Sequence, residues 1–192
     1  MRAAIIGGGA AGYYAAICCK HFHPEAKMTI YEKTNKVLSK VKISGGGRCN
    51  VTHDCKYPSE LLKHYPRGNK ALKKHFKSFN NHHIVQWFEK KGVTLKVESD
   101  GRMFPISDDS QTIIDTFQKE IQHLGIHVKT KTPVIGLQQK GNKIELEFKE
   151  GTEIVDKGKR GGNIIFEGSP SKIIKSKKSF TGQFLKLELE TI

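Results

Sequence analysis

The chain has 192 residues, a length that suits one sizeable domain or a domain with an appendage. It carries 33 basic and 19 acidic side chains, a formal net charge of +14, which is compatible with binding nucleic acid or anionic cofactors and substrates. No apolar run approaches the length of a membrane span, and the N-terminus lacks a signal-peptide pattern. We therefore expect a cytoplasmic protein that does not cross a membrane.

The chain opens on a strand–helix–strand pattern. Residues 2–6 form a short apolar run, residues 7–12 (GGGAAG) a glycine-rich turn, and residues 13–20 a helical stretch. A second apolar run ends at Glu32, 20 residues after Gly12. This order and spacing predict a βαβ dinucleotide-binding unit. A glycine-rich turn in some other α/β protein is the alternative.

Each glycine of this turn has a predicted role. Gly7 permits the tight turn, Gly9 lets a pyrophosphate approach the backbone, and Gly12 lets the helix pack closely on the sheet. The free N–H groups and the positive dipole end of the helix then face the phosphates. The Glu32 carboxylate is predicted to hold a ribose hydroxyl. The predicted pyrophosphate site consists of Gly7, Gly9, Ala10, Ala11 and Gly12.

A second glycine-rich segment, ISGGGRCN, occupies residues 43–50. Three consecutive glycines are costly inside a helix or strand, and they suit a backbone that approaches a flat or anionic group. Arg48 follows them and is a candidate partner for a phosphate, since its planar guanidinium matches phosphate oxygens. A flexible surface loop is the alternative interpretation.

The four cysteines predict reduced thiols. Cys18 and Cys19 are neighbours in the first helical stretch, whereas Cys49 and Cys55 flank His53 in a C-x3-H-x-C arrangement. This is not a standard zinc spacing and no second ligand pair follows it, so we predict no metal site. Cys49, next to an arginine, is a candidate activated thiol, but a residue that lines the loop is the favoured interpretation.

Helical patterns follow over residues 59–64 and 68–79, and Asn80 is predicted to cap a third helix that Gly92 ends. Residues 61–88 contain no Asp or Glu. A solvated helix face is the favoured interpretation of this segment, and binding of a phosphate backbone is the alternative. Its Lys and Arg residues are Lys63, Arg67, Lys70, Lys73, Lys74 and Lys77.

The remaining pattern alternates strands with one helix. Hairpin turns are predicted at Asp100-Gly101 and Gly141-Asn142. A helix is predicted to start at residues 107–109 and to stop at Gly125. The predicted strands cover residues 94–98, 102–104, 126–129, 134–138 and 144–148.

Residues 1–149 resemble the HI0933-like FAD-binding flavoproteins, also called BaiN-type or aminoacetone-oxidase-like proteins. The matching strings are GGGAAG at 7–12, YEK at 31–33, ISGGGRCNVTH at 43–53 and DGRMFPISD at 100–108. The resemblance implies a two-dinucleotide-binding-type fold, an FAD cofactor and an oxidoreductase role. The resemblance also implies that Lys33, next to Glu32, belongs to the cofactor site and that the backbone of Val134 lies near the adenine. The residues that it places near the flavin are Ser44, Gly45, Gly46, Gly47, Arg48, Cys49 and Asn50.

Two departures from the family pattern shape the expected organisation. Family members continue with a returning strand, an inserted substrate domain and a closing C-terminal segment, and these features are not found in this sequence. Residues 154–192 instead resemble the C-terminal end of the UvrA subunit of the excision-repair nuclease, without its ATPase motifs. We therefore expect a boundary near residues 150–153, followed by a tail with a hairpin at 163–166 and a helix after Ser179.

The predicted fold class is α/β. Residues 1–150 are expected to form an incomplete Rossmann-like FAD/NAD(P)-binding βαβ domain with a β-meander, and residues 151–192 a short β-hairpin/helix tail. The predicted function is an FAD-dependent oxidoreductase, in a truncated or fused version, with no catalytic residue, substrate, redox partner or oligomeric state assigned. A basic, non-catalytic nucleic-acid-associated module and an inactive nucleotide-binding fragment are the alternatives.

Overall fold

The computed structural model describes residues 1–156. The helices are α1 (Ala10–Phe22), α2 (Ser39–Ile43), α3 (Pro58–Leu61), α4 (Asn69–Phe76), α5 (Asn81–Lys90) and α6 (Ser110–His123). The strands are β1 (Arg2–Ile6), β2 (Lys27–Tyr31), β3 (Thr52–His53), β4 (Leu95–Val97), β5 (Arg102–Pro105), β6 (His127–Lys129), β7 (Gly136–Lys140), β8 (Lys143–Phe148) and β9 (Gly151–Asp156). A glycine turn occupies Ser44–Gly47 and a short 3-10 turn Leu62–His64.

A parallel sheet with strand order β1-β2-β6 forms the centre of the described chain. The register pairs Ile5 with Ile30 and Ile30 with Val128. Parallel neighbours require a crossover connection, and α1 provides the first of these, between β1 and β2. Among residues 1–156, no strand pairs with the outer side of β1, which therefore forms an edge of the sheet.

The core lies between this sheet and helices α1 and α6. Successive side chains of a strand point to opposite faces, so Met28 and Ile30 of β2 enter the helix-side core together. Both are fully buried, as is Ile17 of α1. The next strand residue, Tyr31, joins a second cluster on the opposite face of the sheet. The parallel sheet is thus covered on both faces, as parallel sheets normally are.

The cover on the second face is a three-stranded antiparallel meander, β7-β8-β9. Leu146 of β8 and Val155 of β9 are buried against Tyr31. Residues 151–156, predicted from the sequence to belong to the tail, hydrogen-bond to β8 as the third strand. The predicted hairpin at 163–166 and the predicted helix after Ser179 lie outside the described residues, and the domain boundary stays a prediction.

The segment between β2 and α6 carries α2 to α5 and a small antiparallel sheet of order β3-β5-β4. The predicted cap of α5 is confirmed, since the Asn80 side chain accepts a hydrogen bond from the His82 N–H. Trp87 of α5 makes an edge-on contact with Tyr14 of α1, with ring centroids 5.4 Å apart. This contact joins the segment between β2 and α6 to α1, the helix that follows the glycine turn.

The helix boundaries differ slightly from those predicted. The helix expected over residues 59–64 consists of α3 and the 3-10 turn at Leu62–His64, because the chain tightens after Leu61. The longest helix of residues 1–156 is α6, with 14 residues. Within that range no helix is both long and apolar enough to cross a bilayer.

Candidate functional site

The glycine turn connects the end of β1 to α1. Gly7 has a φ of +108°, a conformation that side chains disfavour, and its N–H donates to the Tyr31 carbonyl at 2.8 Å. A Cβ on Gly12 would lie 2.0 Å from the Gly7 carbonyl oxygen. Helix and turn can therefore approach this closely only because Gly12 has no side chain.

The N-terminus of α1 offers free donors to solvent. The first hydrogen bond of the helix runs from the Tyr13 N–H to the Gly9 carbonyl at 3.0 Å, so the preceding N–H groups have no helical acceptor. Gly9 caps the helix without a side-chain hydrogen bond, and no acid occupies the first turn. Gly9, Ala10 and Ala11 are exposed. Such an end favours an anionic group, and its binding of a pyrophosphate stays a prediction.

Glu32 follows β2 and reaches back to the glycine turn. One carboxylate oxygen accepts from the Gly8 N–H at 2.8 Å, and the other accepts from the Thr34 N–H at 2.8 Å and hydroxyl at 2.9 Å. These hydrogen bonds, that from the Thr34 N–H foremost, lower the pKa of Glu32. The carboxylate is therefore ionised at neutral pH and retains lone pairs that can accept from hydroxyl groups.

The same hydrogen bonds determine in which direction the stability of the fold changes with pH. The folded-state pKa of Glu32 lies below its unfolded value. Its contribution to stability is therefore present above the ordinary glutamate pKa of about 4.3 and is lost as the pH falls through the lowered folded-state pKa. The neighbouring Lys33 is exposed, and its charge also lowers this pKa.

The second glycine segment forms a tight turn at Ser44–Gly47 with left-handed backbone at its glycines. Gly45, Gly46 and Gly47 have φ values of +56°, +70° and +88°. A Cβ on Gly45 would lie 2.7 Å from the Phe104 ring and 2.9 Å from the Asn50 nitrogen. The turn therefore needs glycine both for its backbone conformation and for its contact with β5.

Arg48 is held by carboxylates of the chain itself. Its guanidinium pairs with Glu98, lies 3.5 Å from an Asp108 oxygen and stacks 4.1 Å above the Phe104 ring. These partners come from β5 and the segments beside it, 50 and 60 residues further along the chain. The geometry gives Arg48 the role of fixing the glycine turn, and its predicted pairing with a phosphate stays a prediction.

Cys49 and Asn50 follow the turn and line a cavity. Cys49 is 6% exposed, and burial raises the pKa of its thiol, which a hydrogen bond with Ser44 offsets only in part. A thiol with a raised pKa stays protonated at neutral pH, so the structure favours the lining role of Cys49 over that of an activated nucleophile. Asn50 is exposed at the same cavity.

Val134 lies in the segment that leads into β7. Two backbone hydrogen bonds tie this segment to Glu32 and the residues after it: Lys131 N–H donates to the Thr34 carbonyl at 2.8 Å, and Thr132 N–H to the Glu32 carbonyl at 2.9 Å. Val134 itself is half-buried against the cluster around Tyr31. The structure thus places it on the Glu32 side of the glycine turn, and its contact with a cofactor stays a prediction.

A cavity of about 390 Å³ joins the two glycine segments. It reaches from Ala10 and Ala11 at the start of α1 to Ser44, Cys49 and Asn50. Sequence reasoning missed the side chains that complete its wall, because they come from four helices and no local motif marks them. These residues are Tyr14, Lys40, Val41, Ile84, Phe88, Ile113 and Phe117, together with Val51.

The parallel sheet, the glycine turn and the acid after β2 define a Rossmann-type nucleotide-binding domain. Residues 1–159 match the family model of the HI0933-like protein Rossmann domain, and the chain belongs to that family.

Two curated proteins are similar in sequence to this chain. A 3-dehydro-bile acid delta(4,6)-reductase of Clostridium scindens is 27% identical over 142 residues, which cover 73% of this chain and 34% of that protein. A ribosomal RNA dihydrouridine synthase of Haemophilus influenzae is 23% identical over 144 residues, which cover 75% and 34%.

A solved structure shares the fold. The open conformation of a flavocytochrome c3 fumarate reductase superposes with a TM-score of 0.57 at 19% identity, over 80% of this chain and 31% of that chain. At this identity the likeness concerns the fold alone. The chain spans about a third of the length of the curated relatives that it matches.

Proposed function

We propose that this chain binds FAD as the cofactor-binding part of a flavoprotein oxidoreductase. One observation carries the proposal: the uncapped N-terminus of α1 lies between the Glu32 carboxylate and the cavity that ends at the second glycine segment. The residues fit the group. Glu32 suits the ribose hydroxyls, the exposed start of α1 suits the pyrophosphate, and residues 44–50 border the space for the ring system.

In this proposal FAD, when bound, supplies the electron chemistry. The chain binds and orients the cofactor, and the apolar wall of the cavity excludes water from one side of it. Cys49 remains a protonated thiol and takes no covalent part. The names of the curated relatives include a reductase, which agrees with a redox role.

The organisation of the whole protein is part of the proposal. We infer that residues 1–156 carry the cofactor site and that the substrate is bound elsewhere in the complete protein. We further propose that the chain is a truncated or fused flavoprotein whose residues 154–192 resemble the C-terminal end of UvrA, and that it is located in the cytoplasm. No membrane partner is proposed, and the substrate, redox partner and oligomeric state are not assigned.

Titration of the Glu32→Ala variant with FAD tests the proposal. We expect binding to weaken by about 1.5–3 kcal/mol, the usual contribution of hydrogen bonds to a charged group. The readout is flavin fluorescence quenching, with the visible absorbance of the mixture as a second measure. Thr34→Ala is the matched control, since it removes one donor to the carboxylate and leaves the carboxylate in place. Equal FAD affinity of Glu32→Ala and the wild type would remove Glu32 from the site, and no FAD binding by the wild type would favour an inactive fragment.

A second candidate function is the binding of nucleic acid. The exposed lysines Lys70, Lys73 and Lys74 lie on α4, which carries no acid, and Lys77 follows it. One of the curated relatives is named for ribosomal RNA. We infer that this face attracts RNA through its phosphates, as a substrate-attracting surface of the flavoprotein or as a non-catalytic module.

A salt series distinguishes a simple solvated face from an RNA site. For a solvated face we expect weak binding of duplex or single-stranded RNA that falls steeply with salt. Electrophoretic mobility shifts of the wild type and of a Lys70→Glu/Lys73→Glu/Lys74→Glu variant measure this directly. Lys90→Glu/Lys119→Glu/Lys149→Glu, at three exposed lysines elsewhere, is the control with the same change in charge. Selective binding that survives physiological salt in the wild type alone would establish the RNA site.

A further inference from the structure

Three metal-ligating side chains meet outside the dinucleotide site. His53 ends β3, Cys55 lies two residues further on, and His64 ends the 3-10 turn at Leu62–His64. Each offers one ligand atom, and these atoms all lie within 4.8 Å of one another. The sequence predicted no metal site, because the C-x3-H-x-C pattern that includes Cys49 is not a standard zinc spacing. The structure separates Cys49, which lines the cavity, and brings in His64 from the following turn.

The separation of these atoms suits a small metal ion. Tetrahedral Zn²⁺, with bonds of about 2.0–2.3 Å to nitrogen and sulfur, holds its ligand atoms about 3.3–3.8 Å apart. The observed upper limit of 4.8 Å therefore requires closure by about 1.5 Å at most. His64 is exposed on a short turn and can make this adjustment, while Cys55 is 5% exposed and holds the inner position.

The backbone that carries His53 and Cys55 is anchored on both sides. Asp54 N–H, between them, donates to the Gly101 carbonyl at 2.8 Å, and the Asn81 side-chain amide donates to the Cys55 carbonyl at 2.8 Å. Asn81 is itself buried, with 3% exposed. A Cβ on Gly101 would lie 2.9 Å from His53 Nδ1, so the ring takes a place that only a glycine leaves open. Two of the three donors are thus pre-positioned.

The imidazole rings of His53 and His64 are stacked, with centroids 3.6 Å apart and an angle of 15° between their planes. This stacking brings one ring nitrogen of each histidine near the buried thiol of Cys55. Glu60 and Asp54 add negative charge near Cys55, whereas at His53 the charge of Asp100 is opposed by that of its ion-pair partner Arg102. The negative charge beside the thiol favours a cation.

We propose that His53, Cys55 and His64 bind a zinc ion, with water in the remaining position. Two imidazoles and one thiolate form a borderline donor set that suits Zn²⁺, a d¹⁰ ion without geometric preference of its own. On binding, the Cys55 thiol releases its proton to solvent and a zinc–sulfur bond forms. The ion links β3 to the turn that precedes α4, and it anchors the segment that carries the basic helix. This site does not depend on FAD binding.

Metal titration of the full chain, first freed of metal with a chelator, tests the proposal. We expect one Zn²⁺ per chain, with a dissociation constant below about 1 µM by competition with a chromophoric chelator. Co²⁺ in place of Zn²⁺ should give a thiolate-to-metal charge-transfer band. His64→Gln should weaken binding about 10- to 100-fold, and Cys55→Ser should weaken it at least as much and abolish the cobalt band.

Two control variants test whether cysteine and histidine side chains outside the proposed site bind the metal. Cys19→Ser and His123→Gln remove the same side-chain types elsewhere and should retain both zinc affinity and the cobalt band. His64 is exposed, so His64→Gln should keep the circular dichroism spectrum of the wild type. The proposal is overturned if the wild type binds no zinc, or if His64→Gln and Cys55→Ser bind it as tightly as the controls.

Discussion

Replacement of Gly12 by alanine is expected to destabilise the βαβ unit by about 3 kcal/mol or more. The reason is steric: the added Cβ would lie 2.0 Å from the Gly7 carbonyl oxygen, far inside van der Waals contact. Neither partner is a flexible side chain. The helix would have to move away from the glycine turn, and with it Ile17, which is fully buried against the sheet.

Urea unfolding followed by far-ultraviolet circular dichroism measures this effect. The expected result is a lower midpoint with an unchanged slope, since the surface exposed on unfolding stays the same. Gly9→Ala provides a control of the same chemical change, because a Cβ there meets nothing within 4 Å. Wild-type stability of Gly12→Ala would show that helix and turn do not approach as closely as described.

The glycine turn and Glu32 could be predicted from sequence because their geometry is local. The positive φ at Gly7 and the missing side chain at Gly12 follow from the path of a strand that turns directly into a helix. The acid is found by counting residues to the end of the next strand. The structure adds that Glu32 bonds the Gly8 N–H, which explains how acid and turn are held together.

Features that depend on distant residues could not be read in this way. Arg48 looked available for a phosphate because its partners Glu98 and Asp108 lie 50 and 60 residues away. Strand β9 was assigned to a tail because its pairing with β8 leaves no local signal beyond a short apolar run. His64 joined no motif, since only the turn after α3 brings its ring onto His53.

Replacement of Gly9 by alanine is expected to separate binding from folding. Gly9 is exposed, its φ of −87° is accessible to any residue, and a Cβ there meets nothing within the chain. Loss of stability should therefore stay near 1 kcal/mol, the usual cost of alanine at a helix cap. The open space around Gly9 is, in our proposal, the space that the pyrophosphate occupies, so the added methyl group should clash with the cofactor.

We expect Gly9→Ala to weaken FAD binding by about 30-fold or more, equivalent to about 2 kcal/mol. The measurement is an FAD titration beside urea unfolding of the same preparation. Gly46→Ala is the comparison variant: a Cβ there also meets nothing within 4 Å, and its φ of +70° adds backbone strain, yet it lies away from the start of α1. Gly46→Ala should lose stability but keep most of its affinity for ADP, which contains the adenosine and pyrophosphate part of FAD and lacks the flavin.

Because Gly12→Ala is expected to lose stability and Gly9→Ala to lose affinity, the two variants assign different physical roles to two glycines three residues apart. Gly9→Ala with unchanged affinity for both FAD and ADP would place the phosphates elsewhere and refute the proposed cofactor site.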